Sequence, residues 1–300
     1  MTAPAHVHLP LTLRQRLAAR GLDGVTLLVL PALVLLAALF IYPFAYGLAL
    51  SFKPKDGSLF GNYVRFFSDR FLYETIGTTL WIALPVTLVN LLAALPAAFR
   101  IRQLRNQRLI TTILVLPITL GTVLVAEGML NFFGPQGWFI RTLTVLGIPG
   151  AQSVKLVHNY WGVFLSLLVT GFPFTFLLTL SYVSGIDVAL EKAAATLGAR
   201  AAARFRLIFL PLLMPGLAIT FCLSFVQAYS VFPSAVLLGA PAGPTRVISM
   251  AAYEAAFEQY DYSLASAIAM IMGLVQLVVV VAVLSLRSLF YRGPAAGAKG

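Results

Sequence analysis

The sequence predicts an all-α membrane protein with six transmembrane helices, and three observations carry that expectation. Residues of the AVILMFWYC set make up 60% of the 300-residue chain and charged residues 10%, against roughly 45–50% and about 25% in ordinary globular proteins. A soluble chain so composed lacks the polar side chains to cover its core, so the excess apolar surface faces lipid. Six runs reach the about 20 mostly apolar residues that a spanning helix needs, and none divides into the roughly ten-residue alternating strands of a barrel. The third observation is that the basic residues are distributed unequally between the two sets of connections.

In chain order, residues 1–24 read as a cytoplasmic tail with Arg14, Arg16 and Arg20, and 25–51 as the first transmembrane helix. That run is too long for a signal peptide and no small-residue cleavage site closes it, so it is expected to stay as an anchor. Residues 52–73 form an external loop. The remaining spans fall at about 74–99, 109–133, 157–181, 208–231 and 264–286, with a connection at 182–207 and a cytoplasmic tail at 291–300. Pro31, Pro43, Pro85, Pro96, Pro117, Pro173, Pro211 and Pro215 lie within the spans. They read either as the ordinary proline content of membrane helices or as kinks that let a bundle open and close. Between the last two spans, the stretch MAAYEAAFEQY places Tyr253, Ala256 and Phe257 on one face of a short amphipathic helix at the outer interface.

Of the 21 Lys and Arg residues, fourteen lie on the side of the two tails, the second-to-third connection (Arg100, Arg102, Arg105, Arg108) and the fourth-to-fifth connection (Lys192, Arg200, Arg204, Arg206). The acids follow the opposite trend, with only Asp23, Asp187 and Glu191 on that side. The positive-inside rule therefore puts both termini in the cytoplasm. The net charge of +11 is a sidedness signal, and no nucleic-acid partner is needed to explain it. Catalysis has no support. None of Lys53, Lys55, Lys155, Lys192 and Lys299 follows a glycine as a phosphate-binding loop requires. His6, His8, His158 and Cys222 make no metal spacing, and no nucleophile motif is present.

One connection stands out: GIDVALEKAAATLGARAAARFRLIFLPLLMPG, residues 185–216. Asp187 caps a following helix with Glu191 early in it. The pattern predicts that this helix runs on through Gly198, with Arg200 and Arg204 on one basic face and alanines leaving the other smooth. Here the chain resembles the permease subunits of bacterial ATP-binding-cassette (ABC) importers of the binding-protein-dependent type. Their loop reads E-A-A, three residues, G, nine residues, I, one residue, L-P. Ala193, Ala194, Gly198, Ile208, Leu210 and Pro211 hold those positions. The acidic position falls on Lys192, and Glu191 precedes it. The resemblance covers about 70–290, with 74–290 as the transmembrane domain of type I. LLVLPALVLLAALFIYPFAYGLALSF, NYVRFFSD and TRVISMAAYEAAFEQYDYSLASAIAMIMGL look like the spermidine/putrescine branch.

The resemblance implies a MetI-like type I importer permease fold in the bacterial inner membrane. It further implies that the loop is a coupling helix docking on a separate ATPase subunit. The expected partners are two such ATPases, which bind the ATP and Mg themselves so that this chain holds no cofactor. A second permease, of a different sequence, and an external substrate-binding protein complete the set. The branch suggests a polyamine or related small cation, with aminoethylphosphonate, thiamine or iron as alternatives, and a gradient-driven carrier as the reading outside the class. Candidate path residues are Glu127, equally readable as an interfacial acid, and Gln227 and Tyr229. Among the aromatics, Phe172, Phe174 and Phe232 offer cation–π or apolar lining, while Tyr160 and Trp161 read as an interfacial belt. Glu254, Glu258 and Asp261 read as a solvated face or as a guide for a binding protein or a cation.

Overall fold

A computed structural model describes residues 24–55, 57–150 and 155–290. Both tails, with Arg14, Arg16, Arg20, Arg292 and Lys299, and also His6 and His8, lie outside the described residues. The described residues form helices without a strand. Six helices are long and apolar enough to cross a membrane, and each of the six runs read from the sequence has its counterpart. They are α1 (Gly24–Ser51), α3 (Arg70–Ile101), α4 (Gln107–Phe133), α6 (Tyr160–Ser184), α9 (Leu210–Tyr229) and α12 (Tyr262–Phe290). Shorter helices join them: α2 (Gly61–Ser68), α5 (Trp138–Val145), α7 (Val188–Thr196), α8 (Ala201–Arg204), α10 (Pro233–Leu238) and α11 (Ile248–Tyr253). Wide π-helical turns follow α8 (Phe205–Phe209) and α11 (Glu254–Glu258).

The helices begin where local chemistry satisfies their free amides. Asp69 accepts from the Phe71 amide at 2.9 Å, Asn159 from Gly162 at 3.0 Å and Asp187 from Ala189 at 2.8 Å. Helices α3, α6 and α9 pack on one another as the central trio, α12 lies against α9, and α1 leans on α12. At the end that carries α2, α10 and α11, the core holds Phe66, Ile82, Val163, Phe225, Tyr229, Ile248 and Ile268. At the end that carries α7, it holds Ile101, Phe176, Val183, Phe209 and Leu213. Hydroxyls stitch the bundle at depth: Ser166 of α6 meets Ser234 of α10 at 2.9 Å and Thr175 of α6 meets Ser224 of α9 at 2.8 Å. These two pairs satisfy buried hydroxyls where lipid offers no partner, whereas the Thr220 and Tyr229 hydroxyls are buried without one among the described residues.

The prolines of α3, α6 and α9 are carried inside continuous helix. The break falls in α4, at Gly121 rather than at Pro117: Gly121 has φ 75° and ψ 162°, which only glycine adopts without strain. Around it, residues 118–124 are exposed in the single chain.

The stretch 232–263 is corrected in two respects. Tyr253 and Phe257 do share an outward face, with Ala251 and Ala255 turned into the core. The acids, however, are not all a solvated face. Glu254 pairs with Arg246, whose guanidinium also donates to the Phe71 carbonyl at 3.0 Å and sits 3.7 Å over the Phe71 ring. Asp261 is buried between Arg65 at 3.2 Å and Lys55 at 3.8 Å. Burial opposes its ionisation. The Leu264 amide, the Ser263 hydroxyl and the two cations outweigh that and hold the carboxyl below the usual carboxylate range. Glu258 remains exposed.

Candidate functional site

Residues singled out in the sequence fall in two places: the α7 connection, and a small, largely apolar cavity of the bundle that Gln227 and Phe232 help to line. The connection is not one helix. Helix α7 stops at Gly198, whose φ of 79° reverses the chain. The Gly198 amide donates to Ala195 at 3.0 Å and the Ala199 amide to Ala194 at 3.1 Å, the paired bonds of a Schellman stop. A residue with a side chain pays conformational strain there, which is why a strongly helix-forming run ends at its single glycine. The expectation of a helix through Gly198 is thereby corrected. Arg200 sits at the start of α8, exposed, while Arg204 folds back against α7.

Glu191 is what Arg204 meets, at 3.8 Å, and Arg102 from the end of α3 meets the same carboxylate at 3.2 Å. Arg102 donates to the Val183 carbonyl at 2.7 Å and lies 5.3 Å from the Phe209 ring centroid and 5.6 Å from that of Phe99. The Arg102 side chain is 8% exposed, so this pair is partly withdrawn from water and geometrically well supported. The acid one residue before the family's position is thus turned inward and ties α7 to α3 and α8. Lys192 and Ala193 face outward and Ala194 is buried. Leu190 and Leu197 are exposed as well, Leu197 to 88%. With Ala193 they make an apolar stripe at helical spacing on the outer surface of α7. The emphasis on arginines in the sequence missed this stripe, although spacing three and four apart was its signal. Beyond it, Ile208 is half-buried in the π turn, Leu210 is half-buried, and Pro211 follows the wide turn directly, within the unbroken helical run Ala201–Tyr229.

The second place is a cavity of about 130 Å³ between α3, α4, α6, α9 and α10, lined among others by Asn90, Thr122, Thr170, Gln227, Ser230 and Phe232. Gln227 is among the residues that line it. Tyr229 is not: its ring is fully buried in the core, two residues on and turned away from Gln227. Glu127 lies exposed on α4, held by the Asn131 amide at 3.2 Å, and is not among the cavity's lining residues. Asn90, Thr122 and Ser230 went unread because a single Asn, Thr or Ser inside an apolar run carries no pattern; only packing brings them together. Phe172 packs with Phe176 and Tyr160 with Trp161 and Phe164. Among the described residues no group of His, Cys, Asp and Glu has metal-site geometry.

No family model matches the chain. Relatives of known role do. The trehalose transport system permease protein SugA of Mycobacterium tuberculosis is 26% identical over 254 residues, 82% of each chain. The spermidine/putrescine transport system permease protein PotB of Haemophilus influenzae is 29% identical over 201 residues, 64% of this chain and 70% of that one. Among solved structures, a bacterial alginate ABC transporter in complex with an alginate pentasaccharide-bound periplasmic protein has a chain that superposes with a TM-score of 0.77 at 22% identity, over 94% of this chain and 99% of that one. The fold is that of an ABC importer permease. The relatives support the coarse class, a permease subunit of an ABC importer.

Proposed function

We propose that this chain is one half of the translocation path of an ATP-driven importer for a small polar solute, and that α7 is its docking element for a separate ATPase. The observation that carries this reading is the exposed Leu190–Ala193–Leu197 stripe, held at the end of the bundle by an inward ionic anchor. An apolar stripe projecting from a charged, water-facing end is a surface shaped for a protein partner. The basic excess at that end puts it and both termini in the cytoplasm. ATP and Mg then belong to the ATPase, and a binding protein delivers solute from the other side. Relatives carry names for spermidine/putrescine, trehalose and sulfate, so their names do not single out one cargo.

The docking reading is tested at Gly198. A Cβ added there meets nothing within 4 Å in this chain, so Gly198→Trp costs about 1–2 kcal/mol of left-handed strain and leaves the bundle folded. We expect it to abolish solute-stimulated ATP hydrolysis by the assembled importer. Stimulated hydrolysis at the wild-type rate removes the docking role from α7.

A further inference from the structure

We infer that the cavity between α3, α4, α6 and α9 is a solute-binding site for an uncharged, hydroxyl-rich molecule of the sugar or polyol class; this rests on the importer reading above. No described residue lining the cavity is ionisable. A polyamine or a sulfate drawn into a membrane interior loses its water and requires an opposite charge or a dense set of aimed dipoles in return. The acid available on α4, Glu127, lies five residues beyond Thr122, roughly 7–8 Å along the axis, and outside the lining. A sugar hydroxyl, in contrast, both donates and accepts, and its natural partners are amides and hydroxyls that do the same.

The hydrogen bonds already made inside the bundle show which groups remain for a ligand. Thr170 donates to the Ser166 carbonyl at 2.9 Å, and Thr175 is occupied with Ser224. Asn90 uses its amino group on the Leu167 carbonyl at 3.4 Å, which leaves its carbonyl oxygen free to accept. Ser230 accepts from the Gln276 amide at 2.8 Å and keeps its own proton to donate. Gln227 and Thr122 make no side-chain hydrogen bond among the described residues, and both line the cavity. The open set is therefore two amides and two hydroxyls, donors and acceptors mixed, with no net charge. Phe232 adds a flat apolar wall, which suits the C–H face of a pyranose ring. Thr122 follows the α4 break directly, and irregular backbone at membrane depth is stable only where it is covered by protein or lines a wet cavity.

The test uses the purified permease–ATPase complex in nanodiscs and radiolabelled glucose, trehalose, spermidine and sulfate at equilibrium. We expect saturable binding of glucose or trehalose that is not displaced by spermidine or sulfate. Gln227→Leu and Thr122→Val should each weaken it by about tenfold, as loss of a ligand hydrogen bond does. Gln227→Asn should retain part of it, and an unaltered elution volume shows that each variant is folded. Three results overturn the proposal: no saturable sugar binding, sugar binding indifferent to both substitutions, or saturable spermidine binding that disappears in Glu127→Gln. Failure of the importer reading is separate and is seen beforehand, as a chain that purifies without an ATPase.

Discussion

Arg102 closes the bundle at the α7 end by three contacts made at once: the Val183 carbonyl, the Glu191 carboxylate and the rings of Phe99 and Phe209. Removing it leaves Glu191 with Arg204 alone at 3.8 Å and an acceptor without its donor. Loss of one partner from such a sheltered pair costs about 3 kcal/mol, near the low end for buried pairs because Glu191 still reaches water. Arg102→Leu should therefore lower the number of solutes moved per ATP hydrolysed in proteoliposomes, with Arg102→Lys restoring part of that ratio. An unchanged ratio in Arg102→Leu would show that the anchor is only structural. None of this was legible in the sequence, where Arg102 counted as one positive charge among several in a loop. Its acid lies 89 residues away, and only tertiary folding reveals that Glu191 points inward while Lys192 points out.

At the scale of elements, the spans were legible because a lipid-facing helix has to be apolar along its whole length, and polar connections mark its ends. Capping residues sharpened this, as with Asp187. The interruptions were not legible, since each depends on one glycine whose surroundings look like those of its neighbours. Gly198 ends α7 and Gly121 breaks α4, while the prolines, which look like stronger signals, pass through helices that stay continuous. Gly121→Ala places a Cβ where the backbone resists it but where nothing clashes, a cost of about 1–3 kcal/mol. We expect α4 to straighten, Thr122 to leave the cavity wall and solute uptake to fall several-fold. A melting temperature and an uptake rate both equal to wild type would show that the break has no role.

Considered whole, the molecule is lopsided. Helices α3, α6 and α9 are well covered, whereas α1 and the middle of α4 present apolar side chains outward: Phe40, Ile41 and Phe44 on the first, Leu120, Val123 and Leu124 on the second. For α1 a lipid surround is sufficient. For α4 the broken backbone argues for protein or water at the same face, so a cysteine at Leu124 should cross-link to a second permease subunit in membranes, while one at Val278 on α12 should not. Equal labelling of the two sites would place both in lipid. Composition announced the membrane and the charge pattern proposed the orientation, but which helices are left uncovered follows only from how the trio packs. The division of labour in α7 has one more consequence. The groups that hold it, Glu191 and Ala194, face the bundle, and those of the proposed docking face, Leu190, Lys192, Ala193 and Leu197, face away. The outward set is therefore interchangeable in principle: a different ATPase could be recruited by rewriting four exposed positions, with the frame beneath left as it stands.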